Sequence, residues 1–129
     1  MKECIFCKIV NEEIPVHKVF EDDDYLVFHD AFPTMKGQLL VIPKKHYSYL
    51  FEMPDDEYCN LWLTAKRAAK AMDMSVAIER VAVVVEGLEV DHVHIRLYPI
   101  DKKGISFKKI EMSDSEMKDV ADRIRKELS

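Results

Sequence analysis

The stretch Glu89-Val90-Asp91-His92-Val93-His94-Ile95-Arg96-Leu97-Tyr98-Pro99 decides how this chain is read. A strand is expected over His92 to Pro99. Side chains of a strand alternate faces, so His92, His94 and Arg96 fall on one side and Val93, Ile95 and Leu97 on the other. Same-face neighbours lie about 6.5–7 Å apart at a rise of about 3.3 Å per residue. Two imidazoles and a guanidinium on one surface make a cation row able to hold an anion such as phosphate. The plain alternative is a solvated sheet face with polar decoration. On this strand alone the two readings stand level, and the rest of the chain must separate them.

Outward from that stretch, Val81 to Glu86 is a second strand candidate on its N-terminal side. Val16 to Phe20, Tyr25 to Phe28 and Gln38 to Ile42 are three more, rich in β-formers. Glu21-Asp22-Asp23-Asp24 reads as a turn and Phe32 to Gly37 as a loop containing both breakers. Short connections between the early strands favour antiparallel pairing. Asp55 to about Met72 is a long helix, preceded by Pro54 and opened by Asp55, Asp56 and Glu57 at the positive end of its dipole. Tyr58, Leu61, Trp62, Ala65, Ala68, Ala69 and Met72 form its apolar stripe, with Lys66, Arg67 and Lys70 opposite. Cys59 is counted with the stripe and expected to be buried packing. Ser113 to Leu128 is the last helix, opened by a Ser113/Glu116 capping-box pattern. Met117, Val120, Ala121, Ile124 and Leu128 form its buried side. Together these elements predict an α+β fold of sheet and helix.

The 129 residues fit one domain spanning 1–129, and 48% apolar with 33% charged residues is the balance of a soluble globular chain. Only 3 Gly and 5 Pro and no low-complexity run argue against disorder. The longest apolar run, Val81 to Val85, is far short of the ~20 residues a membrane-spanning helix needs. With 19 basic against 24 acidic residues the net charge is -5, which excludes a general nucleic-acid-coating surface but not a small anionic ligand at a local site. No signal peptide is expected from Met-Lys-Glu-Cys-Ile-Phe-Cys, so a cytoplasmic setting with reduced cysteines is.

Cys4-x-x-Cys7 is a zinc half-site by spacing, and two histidines would complete a tetrahedral set. His46, in Ile42-Pro43-Lys44-Lys45-His46, and His92 are the candidates. A thioredoxin-like redox pair is the rival reading. The Ile5-Phe6 spacer and the lack of a preceding strand weigh against it.

Taken together, these segments resemble the histidine-triad (HIT) family of nucleotide hydrolases and transferases. The similarity runs over about residues 4–100. It is carried by Cys4-Ile-Phe-Cys7-Lys-Ile, Glu21-Asp22-Asp23 before Tyr25-Leu-Val-Phe28-His-Asp30, Lys36-Gly37-Gln38-Leu-Leu-Val-Ile-Pro43-Lys-Lys-His46, and His92-Val-His94-Ile-Arg96-Leu-Tyr-Pro99. The resemblance implies a HIT-like antiparallel sheet of about five strands with one long helix, beside the C-terminal helix at about 113–128, and a homodimer. It implies that His94 is the nucleophile, attacking the α-phosphorus of a nucleotide to form a nucleotidyl-histidine that water or another acceptor resolves. A neutral imidazole suits that role near neutral pH. It implies a structural zinc on Cys4, Cys7, His46 and His92, as in the zinc-carrying branch. It implies Asp30 for the ribose hydroxyls, with Ile5, Phe6, Ile9 and Phe28 as the apolar slot for the base.

The chain also departs from the family pattern. Arg96 stands at the third triad histidine, Gln38 at a histidine before the Leu-Val-Ile-Pro stretch, and Leu88 and Glu89 at a glutamine and a small hydroxyl residue. A guanidinium cannot act as a general acid at neutral pH. Arg96 can clamp a phosphate or stabilise a leaving oxygen, and Gln38 is grouped with the nucleotide-binding residues. The function expected is cleavage at the α-phosphate of a nucleoside or dinucleoside polyphosphate or a nucleoside phosphoramidate. The alternative is a zinc-stabilised nucleotide-binding module with weak or no catalysis.

Overall fold

The structure, a computed structural model, describes residues 4–77 and 79–128. Its elements are α1 (Ile5–Val10), β1 (Lys18–Glu21), β2 (Tyr25–His29), β3 (Leu39–Pro43), a 3₁₀ turn (Leu50–Glu52), α2 (Asp55–Asp73), β4 (Arg80–Val84), β5 (Ile95–Ile100) and α3 (Asp114–Lys126). The five strands form one antiparallel sheet in the order β1-β2-β3-β5-β4. This is the expected α+β architecture of sheet, long helix and C-terminal helix.

The sheet is covered on both faces, which is why β2 and β3 are continuous apolar runs buried along their whole length. On one face Tyr25, Val27, Leu39, Val41, Ile95 and Leu97 pack with Leu61, Ala65, Ala68 and Met72 of α2 and with Val120, Ala121 and Ile124 of α3. On the other face α1 lays Phe6 and Ile9 on Leu26, Phe28, Leu40 and Ile42. Strand β5 serves both layers. Ile95 and Leu97 belong to the main core, while Arg96 faces the opposite side, opposite Leu40 of β3 and Val84 of β4.

Local chemistry sets the ends of the elements. Ser113 accepts from the Glu116 backbone N–H at 3.1 Å and its own N–H donates to the Glu116 carboxylate at 2.9 Å, closing the capping box that opens α3. Strand β5 begins at Ile95, not His92. Its partner β3 ends at Pro43, which has no N–H to offer, and the Val93 N–H donates instead to the Tyr47 carbonyl at 2.7 Å. Helix α1 was not expected. It is six residues long, includes β-branched Ile5, Ile9 and Val10, and its N-cap is a cysteine, Cys4, whose sulfur accepts from the Cys7 N–H. Cys59 is exposed, not buried. It stands one and two turns from Leu63 and Lys66, on the solvent side of α2. No helix among the described residues is long and apolar enough to cross a membrane.

Candidate functional site

Four side chains from distant parts of the chain meet where α1 starts. Cys4 Sγ lies 3.3 Å from His92 Nδ1, Cys7 Sγ lies 3.2 Å from His46 Nδ1 and Cys7 Sγ lies 3.6 Å from His92 Nδ1. All four ligand atoms fall within 4.8 Å of one another. A tetrahedral zinc with bonds of about 2.3 Å to sulfur and about 2.0 Å to nitrogen would set sulfur–nitrogen edges near 3.5 Å, so the set fits. The protonation pattern fits too. The Nε2–H of His92 donates to the Pro43 carbonyl at 2.8 Å, which strips Nδ1 of its proton and turns that lone pair toward the sulfurs. Burial pushes the His92 imidazole down to about 4, keeping it neutral as a ligand must be. Burial likewise pushes the Cys7 thiol up to about 11, so a metal binding here displaces a proton. A metal with four protein ligands supplies a fixed cross-link and has no open position for substrate.

His94 sits directly beyond. Its Nδ1–H donates to the His92 carbonyl at 2.8 Å, so Nε2 is the bare nitrogen. Burial and the positive Arg96 both lower its pKa from the ordinary 6.5. The ring is only 2% exposed, yet it lines a cleft of about 400 Å³. The Phe6 ring meets it edge-on, with centroids 4.9 Å apart.

That cleft gathers Ile5, Phe6, Ile9, Phe28, Asp30, Gln38, His94 and Arg96, every residue expected to contact a nucleotide or its phosphates. The acidic end is built from loop backbone. Asp30 accepts from the Phe32 N–H at 2.9 Å and from the Gln38 amide at 2.8 Å, while the Gln38 carbonyl oxygen accepts from the Thr34 N–H at 2.7 Å and its hydroxyl at 3.0 Å. Gln38 thus holds the carboxylate in place and closes the loop behind it. His29 secures the same loop from beneath: its Nδ1–H donates to the Asp30 carbonyl at 2.9 Å and its Nε2 accepts from the Gly37 N–H at 3.0 Å. Gly37 has φ +92° and a Cβ there would lie 3.1 Å from Val76, so only glycine passes without strain. At the other wall Arg96 faces Glu89, with Nη2 3.9 Å from the carboxylate. Leu88 points to solvent at 86% exposure and takes no part.

Sequence reasoning missed Thr34, Tyr98, Phe107 and Lys109, all of which line the cleft. Tyr98 was legible, since it follows Arg96 by two on the same strand face. Phe107 and Lys109 come from the segment after β5 and carry no sequence signal; Phe107 rests edge-on against Tyr98, with centroids 6.1 Å apart.

Known proteins share this fold. Residues 11–103 match the family model described as the HIT domain. An uncharacterised HIT-like protein of Methanocaldococcus jannaschii is 44% identical over 101 residues, covering 74% of this chain and 78% of that one. The adenosine 5'-monophosphoramidase of Saccharomyces cerevisiae is 40% identical over 98 residues, 74% of this chain and 61% of the yeast protein. Among solved structures, a HIT-like protein of Bartonella henselae superposes with a TM-score of 0.91 at 26% identity, covering 99% of this chain and 98% of its own. A zinc-bound histidine-triad protein of Mycobacterium smegmatis superposes with a TM-score of 0.84 at 25% identity, covering 98% and 94%. With the match spanning most of the sequence and the fold shared throughout, this chain belongs to the HIT family.

Proposed function

We propose that this chain cleaves nucleotides at the α-phosphate through a covalent nucleotidyl intermediate on His94. The substrate is a nucleoside or dinucleoside polyphosphate or a nucleoside phosphoramidate. The observation that carries the proposal is the hydrogen bond from His94 Nδ1–H to the His92 carbonyl, which leaves Nε2 bare at the wall of a nucleotide-sized cleft. Ile5, Phe6, Ile9 and Phe28 take the base, Asp30 accepts from the ribose hydroxyls, and Arg96 holds phosphate oxygens by paired charge-assisted bonds. Water or another acceptor resolves the adduct, releasing the nucleoside monophosphate. Hydrolase chemistry is supported by the yeast relative, which is named an adenosine 5'-monophosphoramidase.

Zinc on Cys4, Cys7, His46 and His92 is the structural ion of this reading, supported by the fit of the four ligands and by the zinc-bound neighbour. Its thiolate ligands suit a reducing, cytoplasmic setting. A homodimer is supported by β4, an edge strand with exposed Phe51 beside it, and by the buried Trp62 Nε1, which finds no hydrogen-bond partner among the described residues.

A mass spectrum after exposure to substrate tests the mechanism. The expected result is a mass increase of one nucleotidyl group on His94 in the wild type. His94→Ala is expected to lose the adduct and at least about 10³-fold of nucleoside monophosphate release. An equally active His94→Ala protein would refute the assignment. The binding-module reading is favoured by the carboxylate of Glu89 beside Arg96, which opposes an incoming phosphate. Calorimetry that finds tight nucleotide binding with no release of monophosphate from any substrate selects it.

A further inference from the structure

The reaction proposed above leaves open whether the departing atom is a phosphate oxygen or an amine nitrogen. The two make different demands. A phosphate oxygen departs as an anion and is helped by fixed positive charge beside it. An amine departs from a phosphoramidate only if its nitrogen gains a proton in the transition state, so it needs a positioned acid.

The cleft meets the first demand. Arg96 is two residues from His94 on the cleft-facing side of β5, and its cross-strand neighbours Leu40 and Val84 are apolar. Its side chain is 18% exposed, and Glu89 at 3.9 Å is beyond hydrogen-bond reach, so the acid steers the guanidinium without saturating its donors. The second demand is not met among the described residues. The Thr34 hydroxyl is committed to Gln38 and the Gln38 amide to Asp30. The His94 Nδ1–H is spent on the His92 carbonyl at 2.8 Å. Glu86 and Glu89 are exposed carboxylates, groups that accept hydrogen bonds. Tyr98 stands four residues beyond His94, about 13 Å along the chain at a strand's rise, and the exposed Lys109 ammonium sits over the Phe32 ring, 5.2 Å from its centroid.

We propose that Arg96 determines leaving-group specificity, and that this chain acts on nucleoside and dinucleoside polyphosphates in preference to nucleoside phosphoramidates. The inference rests on His94 being the nucleophile. In the favoured reaction His94 Nε2 gives its lone pair to the α-phosphorus and forms an N–P bond. The bond from that phosphorus to the bridging oxygen breaks, and its electron pair leaves on the oxygen as a phosphate anion beside Arg96. Water then attacks the adduct, the N–P bond breaks with its pair returning to Nε2, and the proton released from water passes to phosphate or solvent. With a phosphoramidate the breaking bond is P–N, and its pair must leave on nitrogen with no proton to meet it.

The test compares kcat/KM for nucleoside monophosphate release from diadenosine triphosphate and from adenosine 5'-phosphoramidate, with the adduct on His94 followed by mass spectrometry. Wild type is expected to prefer diadenosine triphosphate by tenfold or more. Arg96→His, which exchanges the fixed charge for an acid, is expected to move the ratio about 100-fold toward the phosphoramidate. Arg96→Gln removes the charge without adding an acid and is expected to lower diadenosine triphosphate cleavage more than phosphoramidate cleavage. It also serves as the comparison should Arg96→His fold poorly. Preference of the wild type for the phosphoramidate, or an equal loss on both substrates in the variants, overturns the inference. If neither substrate labels His94, the proposed function itself falls. If both label it and the ratio does not move, only the role of Arg96 does.

Discussion

At the scale of single residues, three neutral imidazoles organise the site, each fixed by one backbone carbonyl: His92 on Pro43, His94 on His92 and His29 on Asp30. The first two were legible because the Cys4-x-x-Cys7 pair called for histidine ligands and His94 shares its alternation with Arg96, although both histidines stand just ahead of β5 and not within it. His29 was not, since a histidine at the end of an apolar strand shows nothing of the loop it will hold. Burial lowers the His29 pKa below 6.5, so between that value and its folded value the unfolded chain binds the extra proton. The stability it contributes is therefore complete above about pH 6.5 and is lost as pH falls below it. Urea midpoints measured from pH 8 to pH 5 are expected to fall for the wild type and to fall less steeply for His29→Asn. Parallel curves would contradict this.

Among the elements, the strands and the two long helices could be read from β-formers, dipole charges and a capping box, because those signals are local. Replacing the cap by Ser113→Ala is expected to cost about 1 kcal/mol, read as a lowered denaturation midpoint. Helix α1 could not be read that way. Six residues do not hold a helix by propensity; this one depends on Cys4 as its cap, on Phe6 and Ile9 packed against the sheet, and on its link to His46 and His92. Cys7→Ser is expected to lose the bound metal, measured by elemental analysis, and about 3 kcal/mol of stability, a fall of roughly 10 °C in Tm. Because Ile5, Phe6 and Ile9 are the proposed apolar slot, the same variant is expected to bind nucleotide more weakly with no cleft side chain changed. Retained metal and an unchanged Tm would show that the four residues do not act as a metal site. Cys59 teaches the converse: a heptad-like stripe marks the core face of α2 only to within a residue or two at the first turn, and Cys59 lies just off it.

For the molecule as a whole, the family match ends at residue 103, yet α3 sends Val120, Ala121 and Ile124 into the same core as α2. We therefore propose that residues 1–129 fold as one unit. The open edge lies on the other side. Among the described residues strand β4 pairs only with β5, Val83 is 46% exposed, and Tyr49, Phe51 and Trp62 line a hollow beside it that reaches the His94 ring. No partner can be read from one sequence, because an edge strand and a core strand are written in the same residues. A second copy of this chain is the proposed occupant. Light scattering is expected to give twice the chain mass for the wild type and a shift toward the single chain for Val83→Lys, since a charge on an edge opposes strand-to-strand pairing. A wild-type protein of single-chain mass at all concentrations would remove the dimer.

The two-sided use of β5 has one more result. Odd-numbered Ile95 and Leu97 anchor the interior, and even-numbered Arg96 and Tyr98 line the cleft. Deleting a single residue between 94 and 98 would exchange those duties at a stroke, hiding a guanidinium under α2 and offering a greasy wall to the substrate. The strand behaves like text with a reading frame: spelling may change, but length may not, and descendants of this sequence are free to grow or shrink only in the connections that lead into it.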